Sequence, residues 1–178
     1  YNCHTRGVIY NSDTGGGIVG IANKCRIERC SAQIDFTGSR VGGIAGIFVC
    51  DSTRTYSDGV FHCSYVGNIN SAPLVGGIVG LCRSVSEGTG NVHIENCFSR
   101  GTITKDYESD PGPTYGGQSI NTTDNKLGGI VGEVESIDTL FILNCYSNDT
   151  ITSIPAHYGN AKYYAGGILA TADVTTSL

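Results

Sequence analysis

The chain lacks tryptophan and methionine and has only four prolines among its 178 residues. Charged side chains make up 15% of it, against roughly 25% in an ordinary globular domain. The few basic residues are scattered and the net charge is −5, which argues against a nucleic-acid-binding surface or a polybasic membrane segment. No apolar run approaches the length of a transmembrane helix, about 18 residues. Because 39% of the residues are hydrophobic, the composition indicates a folded core rather than disorder.

Motifs of catalysis and metal binding are also missing from the sequence. No Cys-x-x-Cys, His-Glu-x-x-His or Gly-x-Ser-x-Gly occurs, and the four histidines fall at unrelated positions. Asp106, Glu108 and Asp110 cluster in a polar segment, where a solvated or cation-binding loop is favoured over the paired acids of a glycosidase. We therefore expect no catalytic residues, no metal and no cofactor, and predict that the chain is not an enzyme.

Glycine, with 26 residues, is abundant and recurs in one short sequence motif. We call each such recurring motif a word. Gly-Gly-Ile occurs five times, at intervals of 26, 34, 52 and 38 residues, which indicates a repeat architecture. A second word, Asn-Cys followed by a glycine and an isoleucine, recurs beside it, as in Asn96, Cys97, Gly101 and Ile103. The first word comprises Gly16, Gly17 and Ile18; Gly42, Gly43 and Ile44; Gly76, Gly77 and Ile78; Gly128, Gly129 and Ile130; and Gly166, Gly167 and Ile168.

The sequence of each repeat unit predicts three short strands, and no window of the sequence shows helical periodicity. Strands without a local partner pair with the next unit, so we predict an all-β fold, a parallel β-helix (β-solenoid) of about five coils with three short strands each. It forms a single domain over 1–178, with loop insertions at one corner, about 105–126 and 152–164. The chain begins with Tyr1 and shows no signal-peptide pattern, which predicts a mature product, an excised fragment or a segment of something longer. It starts and ends within a repeat, so we expect either a piece cut from a longer array or copies that stack head to tail.

Stacking of the units predicts inward columns of side chains. Asn2, Asn96 and Asn144 predict a left-handed turn before each cysteine, and Arg29 and His62 are expected to interrupt that turn column. The glycine pairs predict corners with positive φ and close approach of neighbouring backbones. The expected apolar columns are Ile18, Ile44, Ile78, Ile130 and Ile168; Ile9, Phe36, Ile69, Ile103 and Ile151; and Ile27, Val60, Ile94 and Ile142.

Eight cysteines suit an oxidising compartment. Five of them form one column, which is consistent either with stacked buried thiols or with disulfides between coils. Cys50 and Cys82 follow the glycine word at similar distances and are the best candidates for a single disulfide. Sequons at Asn121 and Asn148 predict possible N-glycosylation in a eukaryotic source. The column comprises Cys3, Cys30, Cys63, Cys97 and Cys145.

The combined pattern Gly-Gly-Ile-Val-Gly … Ile-x-Asn-Cys-Tyr/Phe-Ser-x-Gly-x-Ile resembles the GLUG-motif repeats. Such repeats occur in bacterial cell-surface proteins, including immunoglobulin-A-cleaving metalloproteases and haemagglutinin-like adhesins. The units at 76–103 and 128–151 fit best, and the unit with Cys30 fits worst. The resemblance implies a β-helical, extracellular, non-catalytic spacer or adhesive region. The metalloprotease activity belongs to a separate domain whose motif this sequence lacks.

The expected function is that of an extracellular or cell-surface structural or adhesive repeat domain, a building block of a surface fibre. Its expected partners are copies stacked head to tail, or flanking repeats of a longer chain, with glycans as further candidates; nucleic acid and membrane insertion are not expected. The alternative is a carbohydrate-binding module that uses the 105–126 insert and its tyrosines. A polysaccharide-cleaving β-helix enzyme ranks third.

Overall fold

A computed structural model describes residues 1–50, 58–84, 90–105, 114–115, 118–119, 124–153 and 162–173. In this part of the chain every regular element is a β-strand, and no helix occurs. The strands in chain order are β1 (His4–Gly16), β2 (Val19–Asn23), β3 (Arg26–Glu28), β4 (Ser31–Gly42), β5 (Ala45–Cys50), β6 (Gly59–Phe61), β7 (Ser64–Gly76), β8 (Val79–Ser84), β9 (Asn91–Glu95), β10 (Phe98–Lys105), β11 (Thr114–Tyr115), β12 (Gln118–Ser119), β13 (Asn125–Gly128), β14 (Val131–Glu135), β15 (Thr139–Leu143), β16 (Tyr146–Ser153), β17 (Tyr163–Gly166) and β18 (Leu169–Asp173).

Almost all strands belong to three parallel sheets that the chain visits in a fixed rotation. Sheet A contains β1, β4, β7, β10 and β16, with β13 and β17 continuing two of its rows. Sheet B contains β2, β5, β8, β14 and β18, and sheet C contains β3, β6, β9 and β15. We call one passage of the chain through sheets A, B and C a circuit. The prediction of an all-β fold with parallel strands is confirmed; β11 and β12 form a small antiparallel pair of their own.

The offsets between paired strands equal the spacings of the sequence words. In sheet B, Val19 pairs with Ala45, Ala45 with Val79, Val79 with Val131 and Val131 with Leu169, which reproduces the offsets of 26, 34, 52 and 38 residues. Each Gly-Gly-Ile isoleucine donates its N–H to the carbonyl of the next one, at 2.9 to 3.0 Å. The three apolar columns are therefore register partners in consecutive circuits.

The core lies between the three sheets. Ile44, Ile78 and Ile130 are fully buried in the middle circuits. Burying one such side chain contributes roughly 1.5–3 kcal/mol, so a column repeated in each circuit stabilises the whole stack. No helix in the described part of the chain is long and apolar enough to cross a membrane.

The turn from sheet C into sheet A is the same in every circuit. The residue before each column cysteine has a left-handed backbone, with φ between 52° and 56°. This includes Arg29 and His62, so the prediction that they interrupt the column was wrong. Inter-strand hydrogen bonding overrides residue preference: the Arg29 N–H donates to Phe61 O and the His62 N–H to Glu95 O.

The glycine pairs form the turn from sheet A into sheet B for a steric reason. Positive φ among the described glycines occurs elsewhere, as at Gly59 and Gly101, so the positive-φ interpretation of the pairs was wrong. A β-carbon on Gly43 would overlap the carbonyl oxygen of Gly77 and the ring of Tyr65. The expectation of close backbone approach is thus the correct part of that prediction.

The insertions leave from within sheet A and not from a corner, contrary to the prediction. β7 pairs with β10 through its first half, Ser64–Asn70, and with β13 through Leu74–Gly76. The row therefore continues on both sides of the insertion, because β13 resumes the place of β10. Lys105, Asn125 and Lys126 lie in these strands, so the insertion is shorter than 105–126. The 152–164 insertion is likewise bounded by β16 and β17 of sheet A.

Candidate functional site

The two ends of the stack are the most distinctive surfaces of the molecule. The apolar columns are closed in the middle circuits and open at both ends: Ile18 is half-buried in the first circuit, and Ile168 is 38% exposed in the last. Near the last circuit, Val134, Ile137, Leu140, Ile142 and Leu169 line an apolar cavity of about 430 Å³. In the described part of the chain, sheet C has four strands against five rows in sheets A and B.

A ladder of cysteine thiols runs along the turn from sheet C to sheet A. The N–H of Cys3 donates to Sγ of Cys30, and the same contact links each column cysteine to the next, always at 3.4 Å. Each thiol also donates to the carbonyl two residues before it, as Cys63 does to Phe61 O at 3.2 Å. The left-handed residue turns the backbone away from the sheets at this point. The cysteine sulfur therefore provides a hydrogen-bond partner for one backbone N–H group and one backbone carbonyl group.

The ends of this ladder differ from its middle. Cys30, Cys63 and Cys97 are buried, whereas Cys3 is exposed and Cys145 is partly exposed. Hydrogen bonding from the Cys97 side chain lowers the pKa of Cys145 to about 7, and the same interaction raises the pKa of Cys97. Thiolate character and access thus coincide at the last cysteine, which is what makes a cysteine reactive.

Charge also differs between the two ends. Residues 1–30, which form the first circuit, carry four basic and two acidic side chains. Residues 136–173, which include β15 and the last circuit, carry one basic and three acidic side chains. The circuits at the two ends therefore carry net charges of opposite sign, which favours contact of a first circuit with a last circuit over contact of two first circuits.

A groove runs along the outer side of the turn between sheets A and B. Its volume is about 830 Å³, and Lys126 and Glu133 form an ion pair across it. Ile47, Leu74 and Leu81 line its floor and belong to an apolar cluster separate from the main core. Its charged lining comprises Asp13, Arg40, Arg83, Asp124, Lys126, Glu133 and Glu135. Sequence reasoning missed this groove, because its residues lie far apart in the chain and share no word.

Sheet C carries a stacked row of π systems on its outer face. The Arg26 guanidinium lies 3.7 Å from the ring centre of Phe61, and His93 stacks on Phe141 at 4.4 Å. Nδ1 of His93 lies 3.0 Å from Oε1 of Glu95. This row includes one residue from each of the four strands of sheet C. Packing within the row explains the position of His93.

The remaining predicted residues have the following places. Cys50 and Cys82 are both buried, but Cys82 pairs with Phe48 and Cys50 with Ser84. No disulfide joins the cysteines in the structure, and a Cys50–Cys82 bond stays a prediction. Asn148 is exposed on β16, opposite Arg100 of β10, and Asn121 lies outside the described residues.

Metal binding finds no support in the described residues, since no group of three or more His, Cys, Asp or Glu side chains is arranged to hold an ion. Comparisons with family models, curated proteins and solved structures give no match for this chain.

Proposed function

We propose that the circuits are the five coils of a parallel β-helix and that the protein is a non-catalytic structural or adhesive repeat domain. Copies stack end to end and build a fibre on the outside of a cell. The observation that carries the proposal is that both end faces present the same backbone rows and apolar columns without a cover from described residues. Unpaired edges of this kind recruit another chain.

The resemblance to GLUG-motif repeats supports the same proposal, because such repeats belong to surface proteins. Eight cysteines and the exposed Asn148 sequon agree with an extracellular location. Under this proposal the partner is a second copy of this chain, and further coils of the same kind would use the same faces.

Replacement of one end-face residue tests the stacking. Ile168→Lys places a charge at the end of an apolar column, where it is solvated in a single copy and buried in a stack. For the unchanged protein, we expect sedimentation velocity to show species whose size increases with protein concentration. For the Ile168→Lys variant, we expect monomers. Val66→Lys is the matched control, because Val66 is 39% exposed on a middle strand against 38% for Ile168. Equal assembly of both variants would contradict end-to-end stacking.

The groove between sheets A and B favours a second candidate function, binding of a carbohydrate chain. The groove combines an apolar floor with charged walls, and Asp124 and Lys126, on either side of the start of β13, line it next to the insertion. Glycan-array binding that is lost in Arg40→Ala and Lys126→Ala, and retained in Val66→Lys, would support this function. Unchanged binding by both alanine variants would place the sugar elsewhere.

A further inference from the structure

We propose that the junction between two stacked copies brings Cys145 of one copy against Cys3 of the next, where oxidation cross-links the fibre. The inference rests on the stacking proposed above. It adds the polarity of the junction and a site of covalent modification.

The polarity of the thiol ladder favours a head-to-tail junction. In all four steps the backbone N–H belongs to the earlier circuit and the accepting sulfur to the later one. A first face placed on a last face repeats this contact, since the N–H of Cys145 then meets Sγ of Cys3. Two last faces would bring two N–H donors together, which costs the hydrogen bonds of both.

The same junction continues the rows of sheets A and B. Ile168 would donate its N–H to Ile18 of the next copy, as Ile130 donates to Ile168 within one copy. Ile151 would extend its apolar column to Ile9 of the next copy. The opposite net charges of the first and last circuits favour this arrangement over either symmetric one.

The distance between rows of a sheet determines whether a Cys3–Cys145 disulfide can form within one copy or only between two copies. Neighbouring rows of a sheet lie about 4.8 Å apart, within the Cα–Cα range of a disulfide. Within one copy, Cys3 and Cys145 are four rows apart, about 19 Å, which no disulfide spans. A Cys3–Cys145 disulfide therefore joins two copies.

The chemistry needs an oxidant, and a small-molecule disulfide supplies it. The thiolate of Cys145 displaces one thiol from the reagent and forms a mixed disulfide. The thiolate of Cys3 then attacks the Cys145 sulfur and releases the second thiol, so one reagent disulfide is reduced for each cross-link. Cys30, Cys63 and Cys97 are at most 2% exposed and are shielded from the reagent, whereas the two end cysteines are not.

The test treats the 178-residue chain with glutathione disulfide and identifies linked peptides by mass spectrometry in a mixture of isotope-labelled and unlabelled protein. We expect mixed-label Cys3–Cys145 peptides and a ladder of multimers on a non-reducing gel. Cys3→Ser and Cys145→Ser should each abolish the ladder of multimers while sedimentation before oxidation still shows assembly. Cys25→Ser should retain it, since Cys25 is also partly exposed but lies outside the column.

The outcomes separate the two proposals. Cys145–Cys145 or Cys3–Cys3 links, a Cys97–Cys145 link within one chain, or assembly without any Cys3–Cys145 link would overturn this inference and leave stacking intact. Monomers at every concentration, with no mixed-label peptide, would overturn stacking itself.

Discussion

At the scale of single residues, the left-handed turn before each column cysteine shows how the backbone can override sequence preference. Asparagine tolerates this conformation, whereas arginine and histidine adopt it at a cost of roughly 1–2 kcal/mol. Asn2, Asn96 and Asn144 made the turn predictable in three circuits. Arg29 and His62 concealed it in the other two, because a neighbour's hydrogen bonds, which a sequence does not display, fix the backbone there.

Substitutions at this turn should change stability in opposite directions. His62→Asn should raise the free energy of unfolding by about 1 kcal/mol, because asparagine adopts φ near 52° more readily than histidine. Asn96→Ala should lower it by about the same amount. Urea unfolding, monitored by circular dichroism, measures both changes. A destabilised His62→Asn variant would show that the histidine side chain contributes more to stability than its left-handed backbone conformation costs.

Asp149 should make stability depend on pH. Burial raises the pKa of this carboxyl group above its ordinary value of 3.8, and the Ser147 hydroxyl, which donates to Oδ2 of Asp149 at 2.9 Å, opposes this by lowering the pKa. Because the folded-state pKa is the higher one, ionisation costs stability as the pH rises from 3.8 through the folded-state value.

Asp149→Asn should therefore be more stable than the unchanged protein at pH 7, and the two should converge below about pH 3. Thermal unfolding across this range measures the difference. A variant that is less stable at pH 7 would mean that the ionised carboxylate is favoured by its hydrogen bonds.

At the scale of elements, the repeated words specified which strands pair. The spacing of Gly-Gly-Ile is the register of sheet B, so an internal repeat carried long-range information that a single strand lacks. The place of the insertion could not be read in the same way. Its boundaries are strand halves within sheet A, and the sequence marks no difference between a bend in a sheet and a corner.

The glycine turn provides a matched pair of substitutions. Gly43→Ala should destabilise the fold by about 1–3 kcal/mol, because the new methyl group would overlap Gly77 O and the Tyr65 ring. Gly167→Ala at the same place in the last circuit should leave stability nearly unchanged, since the added β-carbon would have no atom within 4 Å from the described residues beyond its chain neighbours. Chemical unfolding of both variants measures their free energies of unfolding. Equal destabilisation would mean that the glycine pairs are required for their backbone conformation and not for the space around them.

At the scale of the whole molecule, the proposed stacking would connect folding with assembly at Gly167. In every earlier circuit the second glycine of the pair lies against the next glycine's carbonyl group. A stacked copy would place Gly17 O over Gly167, so Gly167→Ala should weaken assembly while a single copy remains stable. Sedimentation of the same sample used for unfolding checks this, and undiminished assembly would exclude the proposed register.

The central claim is that this chain is a rod-forming unit whose ends accept further copies. Negative-stain electron microscopy of the purified protein tests it most directly. Five rows at about 4.8 Å give one copy a length of about 24 Å, so the account predicts rods that lengthen in steps of that size as concentration rises. Short particles of one copy at every concentration would contradict it.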